Sequence, residues 1–353
     1  MTRLAPVTHF LPLAKIRQNR FLPAPGMVMV RAGQNVSPTD VIAQANLHPN
    51  HIVLDVARGL GVAVSKVSDF IDIQVGDEVD KDAVIATRSG LLSRMVRAPE
   101  AGRVVAISRG QVLIEIGSAP LQELARIPGI VANVEGNLGG VIETSGAWLQ
   151  GVWGNGKVDY GLLNIFADDP GHELTASQFH VSQRGTVIYA GHCSDPTALK
   201  TAVELPIRGL ILASISPTVI PAAREVPYPI IVIEGFGRLE MNSAAHKLLV
   251  SNSSREIAIN AEPYDRFNGR RPEIVIPLQG TGDPPIPRSV EKFSPGQHVR
   301  VVRNPYLGAI GTILILIPGL TSLPNGLQAA SAEIELEGGE RAVVPLANIE
   351  VLG

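Results

Sequence analysis

Residues 33–43 read GQNVSPTDVIA, and residues 76–86 read GDEVDKDAVIA. The segments lie 43 positions apart and share a leading Gly, a Val three residues on and a closing Val-Ile-Ala. Gly33 and Gly76 supply backbone that tolerates positive φ, the polar residues behind them hold a tight turn, and Val-Ile-Ala enters a buried strand. A second echo lies outward from this pair. Ile114-Glu115, Ala119 and Leu121-Gln122 recur 28 positions later as Ile142-Glu143, Ala147 and Leu149-Gln150, and Gly102 and Gly129 lead the two copies in. The spacing predicts duplicated β-hairpins within residues 1–150.

Composition points the same way. Of 353 residues, 35 are Gly and 27 Pro, and 18% are charged against about 25% in an average domain. Many short strands bounded by turns follow; disorder, coiled coil and helical solenoid do not fit. The length predicts two or three domains. A net charge of −3 gives no general pull toward nucleic acid or anionic membrane. Cys193 is the only cysteine, which excludes an intramolecular disulfide framework, an all-cysteine zinc site and a cysteine-ligated iron–sulfur cluster.

The first 27 residues carry Arg3, Lys15, Arg17 and Arg20, no acid precedes Asp40, and Pro6 and Pro12 break the apolar runs that a signal peptide needs. Residues 304–332 carry no charge, yet Pro305, Pro318 and Pro324 argue against a spanning helix. The expectation is a cytoplasmic chain with no membrane segment.

From Gly185 the rhythm changes. GTVIYAG, IRGLILASI and YPIIVIEGFG read as strands; DPTALKTAVEL, SPTVIPAAREV and NSAAHKLLVSN read as helices, with Asp195 as N-cap and Pro196 at the first helical position. This alternation predicts a small α/β domain with a parallel sheet over residues 151–278. Asn155-Gly156 predicts a hairpin turn at its start. Residues 279–292 read as a Pro-rich linker.

Two stretches resemble known families. Val75, Gly76, Asp77, Val79, Ile85 and Ala86, followed by Ala98, Pro99, Gly102 and Val104, resemble the barrel-sandwich hybrid of biotinyl and lipoyl domains and of the N-terminal region in the C subunit of Rnf electron-transport complexes. That likeness spans residues 25–118. It implies a fold and no carrier role, because the Met-Lys-Met or Asp-Lys-Ala tripeptide is missing. Residues 293–316, FSPGQHVRVVRNPYLGAIGTILIL, with Val344-Pro345-Leu346 and Ile349, resemble the KOW motif of NusG-type elongation factors and several ribosomal proteins. Gly296, Val299, Val301, Pro305, Tyr306, Gly308, Gly311 and Ile313 carry the match, and Asn304 stands where the family has Gly. The resemblance implies a five-strand SH3-like barrel over residues 293–353, with residues 318–330 as a projecting loop. The expected fold is thus multidomain and β-rich: a barrel-sandwich hybrid over 1–150, the α/β domain, the linker, and the KOW barrel.

Candidate sites are sparse. Cys193 precedes a helix N-terminus, where the macrodipole lowers a thiol's pKa, with His192 adjacent and His180 as another base, but neighbouring residues on a strand point apart, and a buried or incidental cysteine is the favoured reading. No catalytic residue is nominated beyond these three. Glu234, Gly235 and Gly237 lie after a parallel strand, where α/β sheets hold ligands. Asp168, Asp169, His172 and Glu173 surround Pro170-Gly171, a solvated turn before a metal site, and no metal or cofactor is expected. For partner contact, Arg300, Arg303 and Tyr306 belong to the KOW-like segment, and Arg270 and Arg271 join Arg266, Tyr264 and Phe267 in a basic, aromatic patch. Residues 294–353 hold three arginines against five glutamates, so a protein or ribonucleoprotein partner is favoured over bare RNA. The function expected is a noncatalytic cytoplasmic adaptor or scaffold linked to transcription or translation; the alternative is an enzyme or enzyme subunit with a ligand at the strand ends. Oligomeric state is not legible.

Overall fold

A computed structural model describes residues 4–45, 50–90, 93–117, 120–265, 267, 269–278, 284 and 286–353. Arg266, Ala119 and much of the expected linker lie outside the described residues. Strands dominate, and no described helix is long and apolar enough to cross a membrane.

Four neighbouring strands, Val158–Ile165, Thr186–Cys193, Gly209–Ile215 and Ile230–Phe236, run parallel in that order. Alternation along each strand splits its side chains between two apolar layers. Ile188, Ala190, Leu210, Leu212, Ile230 and Val232 face Ala198, Leu199 and Ala202 of the helix Pro196–Glu204 and Ala223 of Ile220–Glu225. Val187, Tyr189, Ile211, Ala213, Ile231 and Ile233 face Ala245, Leu248 and Leu249 of Ser243–Ser251 on the other side. Each buried Val, Leu or Ile contributes about 1.5–3 kcal/mol. Local chemistry starts the helices: Asp195 accepts from the Thr197 N–H, Pro196 needs no donor partner, and Asn242 accepts from Ala245.

The expected boundary at 150/151 falls inside one sheet. Val158–Ile165 pairs antiparallel with Glu256–Asn260, which continues through Glu273–Pro277, Gly139–Gln150 and Gly129–Glu135 to Asn35–Val36. The long strand Phe10–Phe21 also lies along Gly139–Gln150. Past Gly151 the same run of chain bends over, Val152 donates to Val232 O, and Trp153–Gly154 pairs with Ile230–Phe236. Asn155-Gly156 does turn, with φ +86° at Gly156, but its arms do not pair with each other. The Asn155 side chain is bonded to Ala223 O, Tyr228 O and Ile230 N–H, which ties the turn to the neighbouring loop.

The two Gly-led turns behind the sequence echoes share their hydrogen bonding. Gly33 and Gly76 donate to Val131 O and Val104 O, both at 2.8 Å, and these valines donate back to Gln34 O and Asp77 O. Asn35–Val36 pairs with Gly129-Ile130, and Glu78–Val79 pairs with Gly102-Arg103. A register shift follows Val131 and Val104 alike, and Ile142 and Ile114 lie opposite them. Equivalent residues fill the two cores: Val36, Ile42, Val131 and Ile142 in one, Val79, Ile85, Val104 and Ile114 in the other. A third copy sits near the C-terminus. Gly296 donates to Ile313 O, Ile313 donates to Gln297 O, and the shift follows Ile313. In all three, the N–H two residues before the glycine bonds the side chain after it: Arg31 to Gln34, Gln74 to Asp77, Ser294 to Gln297.

The C-terminal sheet runs Val290–Lys292, Leu4–Thr8, Ile349–Leu352, His298–Val301, Ile310–Leu316, Ser331–Leu336, Arg341–Pro345. Val290–Lys292 is a strand, and Leu4–Thr8 leaves the N-terminal region to lie parallel to Ile349–Leu352 and antiparallel to Val290–Lys292. Among the described residues no barrel is closed by hydrogen bonds. Leu4–Thr8 takes up the outer edge of Ile349–Leu352, and Val290–Lys292 and Arg341–Pro345 remain the two ends of an open sheet.

Candidate functional site

The C-terminal ends of the parallel strands gather the polar chemistry. His192 is the penultimate residue of its strand and lies level with Ser214 on the next, which in turn lies level with Gly235. His192 is 5% exposed and Ser214 is fully buried. Ser214 Oγ donates to Leu239 O at 2.7 Å, accepts from the Leu239 N–H at 3.0 Å, and lies 2.9 Å from His192 Nδ1. A hydroxyl has one proton, and the Leu239 carbonyl can only accept. The proton shared between Ser214 and His192 therefore belongs to Nδ1. This leaves Nε2 as a lone pair, and 3.2 Å from it stands the hydroxyl of half-buried Ser216.

Glu173 completes the group. It forms a parallel bridge with His192, accepts from Ser194 through Oε1, and accepts from Arg238 at 3.1 Å through Oε2. The Ser194 hydrogen bond, helped by Arg238, holds its carboxyl below the usual range. Burial lowers the His192 imidazole below its ordinary value, and Arg238 adds to this while Glu173 opposes it. The ring is neutral at pH 7, as a general base must be. Gly191 admits the neighbouring loop, since a Cβ there would stand 1.8 Å from His172 O.

Cys193 is not part of this group. It is buried among Ala190, Ala198 and Leu199, its Sγ faces Asp195 O at 3.7 Å, and burial pushes the thiol up to about 12. Desolvation outweighs the pull of the helix terminus on the thiol. His180 is exposed, and neither histidine bonds Cys193 among the described residues.

Glu234, Gly235 and Gly237 act as supports. Glu234 accepts from Asn242 at the start of its helix and pairs with Arg300 at 2.7 Å, so both oxygens are committed. Gly235 and Gly237 have φ of +144° and +88° and turn the chain so that Gly237 donates to Ile215 O and Leu239 reaches Ser214. Asp169 accepts from Gly171 in a local turn and His172 faces Gln178; no cluster of metal-ligating side chains occurs among the described residues.

Arg300 is withdrawn from the expected partner surface. It is 2% exposed, bonded to Glu234 and Glu350, and held over the Phe10 ring. Arg271 donates to Thr8 at 2.7 Å and lies over Tyr264, and Arg270 pairs with Glu262. Arg303 is exposed, and Tyr306 donates to Glu340. Sequence reasoning passed over Ser214, Ser216 and Arg238. The available signal was position: two serines and an arginine close behind strands already read as parallel.

No protein-family model matches this chain, and no curated protein is similar enough to it to indicate a family.

Proposed function

We propose that the chain is an enzyme or enzyme subunit that handles a small ligand at the C-terminal ends of its parallel strands, by acyl transfer to Ser216. The supporting observation is the His192 Nε2 lone pair facing the Ser216 hydroxyl, with Ser214 fixing the tautomer. In this reading Ser216 Oγ attacks an ester carbonyl carbon while its proton passes to His192 Nε2. The imidazolium returns that proton to the leaving alkoxide, and water then cleaves the acyl-serine to free the acid. Arg238 and Ser194 stand at the rim, where they would meet a polar or anionic substrate group. Hydrolysis of p-nitrophenyl acetate tests this: Ser216→Ala should lower the rate about a hundredfold or more. A rate unchanged in Ser216→Ala rejects it.

A second reading keeps the cytoplasmic adaptor, with the KOW-like segment meeting a protein or ribonucleoprotein partner. Its support is apolar exposure on the loop expected to project: Leu320 and Leu327 are 62% and 63% exposed beside the small hairpin Thr321–Ser322 and Gln328–Ala329. The barrel-sandwich and SH3-like assignments belong with it; the three recurring Gly-led turns support them. Co-purification in which Leu320→Ser plus Leu327→Ser leaves every partner bound would reject this reading.

A further inference from the structure

Away from the strand ends, a cavity of about 220 Å³ opens between the long strand Phe10–Phe21, the end of Gly139–Gln150 and the segment around Arg270 and Arg271. Arg17 on the long strand and the adjacent pair Arg270 and Arg271 line it. Its wall also holds two acids, Glu262 and Glu273. Both are engaged from within the protein. Arg20, 1% exposed, bonds Glu262 and Glu273 at 3.2 Å each, and Glu262 also takes Arg270 at 3.2 Å. Glu273 further accepts from Trp148, Asn260 and Gln18, so its two oxygens are saturated. Of the other nearby acids, Glu350 is bound by Arg300 and lies 3.7 Å from Arg271, and Glu123 lies 4.0 Å from Arg20, its buried Oε1 without a hydrogen-bond partner among the described residues.

Of the cations, Arg17 is exposed and has no ion pair among the described residues. Arg271 has one short bond, to the neutral Thr8 hydroxyl, lies 3.7 Å from Glu350, and has its guanidinium over Tyr264. Three arginines lining one small cavity suit planar or tetrahedral oxyanions with two or more charges. The cavity floor is polar and stiff, formed by the Trp148 ring stacked on His9 and by Gln150, whose side chain accepts from the His9 N–H. We infer that this cavity is a binding site for a compact polyanion, a di- or triphosphate or a di- or tricarboxylate, held by Arg17, Arg270 and Arg271. The site is distinct from the Ser216 group and does not depend on its chemistry.

Isothermal titration of the full chain with pyrophosphate, and separately with citrate, at constant ionic strength tests the assignment. At least one anion should bind saturably at one site per chain. Arg17→Ser, a surface change, should weaken that binding about tenfold or more, while Arg58→Ser on the remote helix Val56–Leu60 should leave it unchanged. Circular dichroism of the variants checks that the fold is kept. Absence of saturable binding by both anions, or binding that Arg17→Ser does not weaken, overturns the proposal.

Discussion

The strand ends of the parallel sheet and the junction with the C-terminal sheet each bury a basic side chain, and they use it differently. At the junction Arg300 gives its donors to Glu234, Glu350 and Ile233 O and rests on Phe10, leaving nothing to offer a partner. At the strand ends His192 has one nitrogen fixed by Ser214 and the other turned to a half-buried hydroxyl. Charge that the sequence placed in a binding module is therefore spent on attachment. The reactive arrangement comes from residues without charge.

Breaking the junction should have the largest effect. Arg300→Met leaves Glu234 and Glu350 buried without their cation, and should cost about 3–5 kcal/mol in urea unfolding. A cost below about 1 kcal/mol, the range of surface pairs, would mean that the junction is not the clamp described.

The junction also has an acid-sensitive histidine. His9 is 2% exposed, stacks on Trp148, and has no hydrogen-bond partner at Nδ1 among the described residues. Burial, helped by Arg271, lowers it from 6.5 to about 4. Its folded form refuses a proton that the unfolded chain accepts, so stability falls as pH drops through the window from 6.5 to about 4. The loss should reach about 3 kcal/mol at the bottom of that window. His9→Phe, which keeps an aromatic face on Trp148, should flatten the slope; an unchanged slope would assign the acid sensitivity elsewhere.

At the strand ends the effects should be smaller in stability and specific in kinetics. Ser214→Ala removes the acceptor of Nδ1–H and orphans the Leu239 groups, costing about 1–3 kcal/mol. It should also lower ester turnover without changing KM, because Ser214 positions the imidazole and does not touch substrate. The finest test moves the acid limb of the pH–rate profile. In the proposed reaction His192 works as a neutral base, so the rate should fall as pH drops through a pKa that lies below 6.5. Glu173→Gln removes a carboxylate that favours the charged ring and should shift the limb to lower pH; Arg238→Ala should shift it upward. Shifts in the same direction would contradict the placement of these charges.

Legibility in the sequence tracked how local the cause was. Asp195-Pro196 starts a helix by bonding two residues away, and Gly33 and Gly76 make their turns alone, so both were readable. The third turn, Gly296-Gln297-His298-Val299, was also readable against Gly33-Gln34-Asn35-Val36, yet it was seen only as part of the KOW resemblance. Leu4–Thr8 pairing with Ile349–Leu352 joins positions more than 340 apart, and nothing in either strand's pattern names the other. Separation also hid the Arg300 pairings, which reach 66 positions to Glu234 and 50 to Glu350. Arg300 and Arg303 alternate in VRVVR, and only packing against Glu234 decides which is buried. Cys193 is favoured by the sequence as a buried, incidental cysteine, and its thiol does face an apolar layer.

The central claim is that Ser216 is a nucleophile activated by His192. Incubation with a fluorophosphonate, followed by peptide mass spectrometry, reads it directly. The account predicts a single phosphonylated residue, Ser216, with labelling lost in His192→Ala and retained in Cys193→Ala. Label absent from Ser216, or present there at equal rate after His192→Ala, would contradict it.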